Sequence, residues 1–344
     1  MLALTFFGGS AALDQARRPL VSSRPDFYDY PMGPHLRSYL GIDDASYRGH
    51  HRDGRPTSEE SAALEAWLQT ECRSREALSA EQLVDLLDEL VTMDLPRSAL
   101  VLADSHPGDL FADDFRARLA LGVAAMLSAD LGSAEDHLRA AQALIPAEPA
   151  PYVNLTQIYL EQGELAAAET WCTAGLDAEP NHFALWDLLA EILRDQHGEY
   201  LPEQLMAFAE KRCAWAGLAL AANLTTTGDR YLKANLLERI YQQGERDHLF
   251  LVELTGAYGV AGDFAKIPPL VWQAERLASK GIPWQLHLHC AQAHLALAQK
   301  DEALARLAKV GTVQNLPDEA RFAISELTEE AQAMTVGMDV DSLH

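Results

Sequence analysis

The most chemically reactive stretch of the chain runs from Trp284 to His294 and contains three histidines and a cysteine. If this stretch is helical, His287, Cys290 and His294 are spaced so that they share one face. Imidazole and thiolate groups in that arrangement can bind zinc. The same positions also suit packing between helices, so a metalloprotein or enzyme that uses these three residues is an alternative interpretation of the chain.

Other signs of catalysis are sparse. His50 and His51 adjoin in a predicted loop, where such a pair is more often solvated than bound to a metal. The chain has no serine elbow of the hydrolase type, no glycine-rich phosphate loop and no paired-histidine zinc motif. Its many carboxylates carry no catalytic information in so acidic a protein. We therefore expect no catalytic residue, no bound metal and no cofactor, and we do not expect an enzyme.

A 34-residue interval organises the chain in which these residues stand. Leu121, Leu155 and Leu189 recur at this interval, and so do Pro146 and Pro180. Around each leucine, apolar residues three and four positions apart predict one face of a helix. Each unit therefore predicts two amphipathic helices joined by a tight turn, and neighbouring units must stack to bury their apolar faces.

This pattern resembles the tetratricopeptide repeat (TPR) family, whose units place an aromatic residue, leucine, tyrosine, small residues and proline at fixed positions. The resemblance implies an all-α fold: a right-handed α-solenoid of TPR-like helix pairs with a non-repeat N-terminal arm. One unit carries Tyr152, Leu155, Tyr159, Ala168 and Pro180 at those positions. The clearest units are 115–148, 149–182, 183–216, 248–281 and 284–316.

The predicted domain boundaries follow from this repeat. Residues 1–56 form the arm, residues 57–335 form the solenoid with a capping helix at 318–334, and residues 336–344 form a flexible tail. Four tryptophans fall on predicted helical faces and are expected in the core: Trp186, Trp215, Trp272 and Trp284.

The charge of the chain argues against a nucleic-acid partner. Asp and Glu number 51 against 27 Lys and Arg, so the net charge is −24 and the protein repels phosphate groups. The arm is different, because residues 1–56 hold seven Arg and six Asp with no Lys or Glu, a net charge of +1. The acidic charge therefore belongs to the solenoid.

The chain is predicted to be cytoplasmic. The four cysteines lie far apart without a CxxC pair, which excludes a disulfide framework and suggests buried, reduced thiols. The N-terminal apolar run has no basic residue before it and ends at Gly8, unlike a secretory signal. No apolar stretch approaches the ~20 residues of a membrane span.

The TPR resemblance implies that the first helix of each unit lines a concave groove that binds a partner. Residues 1–210 contain no lysine, which disfavours the basic clamp with which some TPR domains grip a carboxylate. The acidic lining instead favours a basic or mixed protein or peptide. The residues expected to face the groove are Asp85, Asp88, Asn154, Gln157, Glu161, Asp187, Glu191, Arg194, Glu253, His289 and Gln292.

The arm is a candidate ligand for such a surface. Phe27, Tyr28, Tyr30 and Tyr39 are expected anchors, because aromatic side chains and arginines often carry binding energy. A disordered segment is usually poor in aromatic residues. We therefore expect the arm to dock, either in the groove of its own chain or on a partner.

These features predict a protein–protein interaction adaptor, assembly factor or chaperone that binds a partner segment in the concave face. The alternative in the same class is a structural subunit of a larger complex, with the arm inserted into a neighbour. The sequence leaves open the identity of the partner, the oligomeric state, and whether the groove is occupied.

Overall fold

A computed structural model describes residues 79–92, 95–106, 111–197, 202–225, 229–279, 281–313 and 316–334. The predicted arm at 1–56, with its anchors Phe27, Tyr28, Tyr30 and Tyr39, lies outside the described residues, as does the tail at 336–344. Within the described ranges every regular element is helical, which confirms the predicted all-α repeat fold.

The described helices fall into two compact units, which divide between residues 201 and 202. The N-terminal unit contains α1 Ala80–Thr92, α2 Pro96–Asp104, α3 Phe115–Leu127, α4 Leu131–Leu144, α5 Pro149–Glu161, α6 Leu165–Ala178 and α7 Phe183–His197. The C-terminal unit contains α8 Pro202–Arg212, α9 Trp215–Leu224, α10 Leu232–Gln242, α11 His248–Ala261, α12 Ile267–Leu277, α13 Trp284–Ala296, α14 Lys300–Gly311 and α15 Asp318–Ala333.

Close packing of helix pairs builds the N-terminal unit. Helix α3 packs against α4, and α5 packs against both α4 and α6. A methyl group added at Gly122 of α3 would lie 2.6 Å from Cγ of Leu138, and one added at Gly175 of α6 would lie 2.8 Å from Cβ of Tyr152. These two positions must therefore be glycine-sized for the helices to approach as they do.

Tight turns of a common backbone form separate the paired helices. Ala129 and Gly163 stand 34 residues apart, and both take positive φ, at 62° and 75°. In the C-terminal unit Gly262 and Ala298 do the same, at 83° and 58°. Glycine adopts this left-handed conformation without steric cost, whereas alanine does so against its intrinsic preference.

In the C-terminal unit, a short 3₁₀ turn at Phe264–Lys266 precedes α12, and Pro268 and Pro269 occupy the first turn of that helix. Proline suits this place because the first turn has no intrahelical acceptor for its missing N–H group. Trp215 of α9 packs edge-on against Phe250 of α11, with ring centroids 5.7 Å apart.

Two expectations about buried side chains were wrong. Trp272 is 56% exposed, and the guanidinium of Arg276 lies 4.7 Å from its ring centroid. Cys172 and Cys290 are buried as expected, but Cys213 is exposed because it forms the left-handed turn between α8 and α9, at φ 52°. Apolar character alone does not distinguish a core position from a turn or an outer face.

Candidate partner-binding face

One side of α5 is fixed by tyrosines that reach α4. The hydroxyl of Tyr152 donates a hydrogen bond to the carbonyl oxygen of Pro146 at 2.8 Å. The hydroxyl of Tyr159 donates to Oε1 of Glu135 at 2.6 Å and accepts from Arg139 at 2.9 Å. Tyr152, Leu155 and Tyr159 thus define the side of α5 that packs against its paired helices.

The opposite side of α5 carries Val153 and Gln157, which lie within about 20° of the direction opposite Leu155 on a helix of 3.6 residues per turn. Both side chains are buried, and even the polar Gln157 is only 8% exposed. Asn154 beside them is fully buried. An amphipathic helix at the surface would present a solvated face here, so α5 is covered on both of its sides.

The same positions recur on the neighbouring first helices α3 and α7, each of which contacts α5. The residues 34 positions before and after Val153 are Leu119 on α3 and Asp187 on α7. Those equivalent to Gln157 are Val123 and Glu191. We call the resulting set the candidate face. Its members are Leu119, Val123, Val153, Gln157, Asp187 and Glu191.

The candidate face changes in character from α3 to α7. Leu119 and Val123 are apolar and buried, whereas Asp187 and Glu191 are acidic and partly exposed. Burial raises the pKa of Asp187 to about 6, because a half-buried carboxylate loses hydration. No cationic group lies against Asp187 among the described residues.

A second acidic group, Asp85 and Asp88 of α1, is bound by Arg116 of α3. Nε of Arg116 lies 2.9 Å from Oδ2 of Asp88, and its Nη2 lies 2.8 Å from Oδ1 of Asp85. Burial raises the pKa of Asp88 to about 6, because the cost of desolvation exceeds the attraction of Arg116. Asp88 is therefore part of a helix–helix ion pair and is not offered to a partner.

In the N-terminal unit the predicted groove residues differ in how far their side chains are exposed to solvent. Glu161 and Arg194 are exposed, and Asp85, Asp187 and Glu191 are partly buried. The other three predicted groove residues, Asp88, Asn154 and Gln157, have buried side chains.

In the C-terminal unit the predicted residues form a polar cluster between helices. Nζ of Lys233 on α10 lies 2.6 Å from Oε2 of Glu253 on α11, and both side chains are 18% exposed. The hydroxyl of Thr255 lies 2.8 Å from Nδ1 of His289, one 34-residue step away on α13. Burial, with a smaller effect of nearby Lys233, lowers the pKa of His289 to about 4, so its ring is neutral at pH 7.

His289 and Gln292, which were also expected to face the groove, are buried. His289 is 2% exposed and Gln292 is 4% exposed. Oε1 of Gln292 is buried and has no hydrogen-bond partner in the described part of the chain. Of the three residues predicted for this unit, Glu253 alone retains partial exposure.

The zinc interpretation of α13 is also corrected. Burial raises the pKa of the Cys290 thiol to about 11. His287 faces Nη1 of Arg306 at 3.3 Å, and Nδ1 of His294 lies 2.6 Å from Oε1 of Gln299. Across the described ranges, no three His, Cys, Asp or Glu side chains are grouped as a metal site requires.

Arg116 and Lys233 are the residues of this region that the sequence analysis did not identify. Both are basic residues that neutralise acids predicted to face a groove. The position of Arg116 could have been identified from the repeat. It stands 34 residues before Ala150, which places it on the first turn of the first helix of its unit. Lys233 offered no such signal, since the repeat is degenerate around α10.

Comparisons with known proteins address the repeat directly. A family model described as tetratricopeptide repeat matches residues 125–192. Among solved structures, a tetratricopeptide repeat protein from Parabacteroides merdae ATCC 43184 is similar at 15% identity, covering 74% of this chain and 99% of that chain with a TM-score of 0.34. No relative was found among curated proteins.

Among the described helices, none combines the length and the apolar character that crossing a membrane requires. The matched segment runs from α3 to α7 and so contains the Val153 and Gln157 positions of the candidate face. Residues 125–192 therefore match the tetratricopeptide repeat family model, as the spacing of their leucines and prolines predicts.

Proposed function

We propose that this protein is an interaction adaptor or assembly factor that binds a segment of a partner protein on the candidate face of the N-terminal unit. Tetratricopeptide repeats generally mediate protein–protein interaction, and residues 125–192 match that family. The proposal concerns binding and assigns no catalytic step.

The observation that carries this proposal is the arrangement of the candidate face. Its apolar positions on α3 and α5 adjoin carboxylates on α7, at Asp187 and Glu191. Such a surface suits a segment that offers apolar side chains followed by Arg or Lys. The partner is therefore basic or mixed in charge, and binding weakens as salt screens the charges.

The test compares partners recovered by the intact protein and by two charge-reversed variants. Asp187→Lys with Glu191→Lys reverses the acidic end of the candidate face. Asp136→Lys with Glu164→Lys makes the same change in net charge on exposed positions at α4 and at the start of α6. Quantitative mass spectrometry of affinity purifications from native cells measures the difference.

We expect partners that depend on the candidate face to be lost at least about tenfold from the α7 variant and retained by the control. Recovery that is equal for both variants would refute the candidate face as the binding surface. Light scattering of each purified variant records its oligomeric state, so that altered assembly is not mistaken for altered binding.

A further inference from the structure

The burial of the candidate face requires an explanation. Helices α4 and α6 pack on the side of α5 that carries Tyr152 and Leu155, and α3 and α7 are its neighbours in the row of first helices. The opposite side nonetheless has Val153 fully buried and Gln157 nearly so. On α3, Leu119 and Val123 at the equivalent positions are buried as well.

The segment best placed to cover this face belongs to the same chain. Seventy-eight residues precede Ser79, from which α1 of the N-terminal unit follows directly. At about 3.3 Å per residue, an extended segment of this length reaches far beyond any point on the unit. Tethering at α1 also gives the segment a local concentration on the order of millimolar at the candidate face.

The composition of that segment complements the face. Residues 24–39 contain Phe27, Tyr28, Tyr30 and Tyr39, together with Arg24 and Arg37, whose charges are balanced by Asp26 and Asp29. The aromatic side chains suit the apolar positions on α3 and α5, and Arg24, three residues before Phe27, suits the carboxylates on α7. Its prolines favour an extended backbone, which lowers the entropy lost on docking.

We propose that residues 24–39 of this chain occupy the candidate face in cis, with the aromatic side chains of Phe27–Tyr30 over Val123 and Val153 and the adjacent Arg24 toward Asp187 and Glu191. The inference rests on the proposed function in one respect, because it assigns the same face to the arm and to the partner. The arm then acts as an internal competitor that a partner must displace. Release of the arm raises the apparent affinity for a partner by about tenfold or more.

The first experiment locates the arm in the intact chain. A photoreactive benzoylphenylalanine replaces Glu191 on α7, or replaces Asp136 on α4 as an exposed control. Irradiation at position 191 is expected to join the residue to peptides within 24–39, and the control is not. Mixing heavy and light protein separates contacts within one chain from contacts between chains.

Cross-links from position 191 to other parts of the chain, cross-links only between chains, or no cross-link at all would each overturn the inference. The two substituted positions are partly or fully exposed, so both variants are expected to fold, and circular dichroism checks this.

The second experiment uses a fluorescent peptide with the sequence of residues 24–39 as the probe. Arg24→Glu with Arg37→Glu weakens docking of the arm, whereas Arg48→Glu with Arg52→Glu makes the same charge change elsewhere in the arm. The probe is expected to bind the first variant at least about tenfold more tightly than the wild type, and the second like the wild type.

Equal binding of the probe by all three proteins would contradict the inference. The outcome is independent of the partner purification. If reversal of Asp187 and Glu191 loses partners but position 191 does not cross-link to the arm, the proposed function stands and docking of the arm in cis is refuted. A cross-link to the arm with no partner lost supports docking of the arm and refutes binding of a partner at this face.

Discussion

At the scale of single residues, burial decides which polar groups are available. Asn154 and His289 have the residue types of a binding groove, yet both side chains are buried. Helical periodicity identifies which residues share a face, but it carries no information about what covers that face. For this reason the positions were predictable from the sequence and their exposure was not.

His289 makes the stability of the protein dependent on pH. Its pKa falls from 6.5 to about 4 on folding, chiefly through burial. Between these values the unfolded chain binds a proton that the folded chain does not, so stability is lost as the pH falls from 6.5 toward 4. His289→Gln is expected to reduce this loss in the free energy of unfolding by about 3 kcal/mol. Urea unfolding of the variant and the wild type at each pH measures the difference.

The control is Thr255→Val, which deletes the hydroxyl that lies 2.8 Å from the imidazole and leaves the ring buried. This variant should lose stability at all pH values while it retains most of the wild-type slope. Parallel slopes for His289→Gln and the wild type would show that His289 is not the group responsible.

At the scale of helices, the repeat was predictable because each of its recurring residue types has a clear physical role. Leu155 marks the packed side of α5, Gly163 allows the turn that follows it, and Pro180 stands beyond the end of α6 at Ala178. The ion pairs between α1 and α3 were not predictable in this way. Arg116 pairs with Asp85 and Asp88 only because neighbouring first helices lie side by side.

Two helix starts one repeat apart provide a test of local stabilisation. Oδ1 of Asp114 accepts a hydrogen bond from the backbone N–H of Ala117 at 2.9 Å, and so caps α3. Glu148 begins α5 at the equivalent position but makes no capping bond, and Pro149 follows it. Asp114→Ala is expected to cost about 1 kcal/mol and Glu148→Ala less than about 0.5 kcal/mol in denaturant unfolding.

Because the two changes occupy equivalent places in consecutive repeats, each serves as the control for the other. Equal losses would mean that the acidic residue, rather than its capping bond, stabilises the start of the helix. A larger loss at Glu148 would rule out the capping explanation altogether.

At the scale of the whole molecule, the net charge of −24 opposes compaction. Raising the salt concentration from about 10 mM to about 100 mM shortens the screening length from about 30 Å to about 10 Å, and so weakens this repulsion. The midpoint of thermal unfolding is expected to rise by about 2–5 °C, as scanning calorimetry would measure.

Choline chloride and sodium chloride at equal ionic strength should give the same increase if general screening is the cause. A rise with sodium alone would indicate specific ion binding. An unfolding temperature that falls with salt would show that attractive ion pairs, such as those of Arg116 and Lys233, outweigh the repulsion.

The packing of each helix on its neighbours in sequence has a kinetic consequence. Among the described helices, α5 contacts α3, α4, α6 and α7, which are close to it along the chain. Such a topology has a low contact order, and little loop-closure entropy is lost before favourable contacts form. Folding of the N-terminal unit can therefore nucleate at whichever hairpin is locally most stable and spread outward from it, one hairpin at a time.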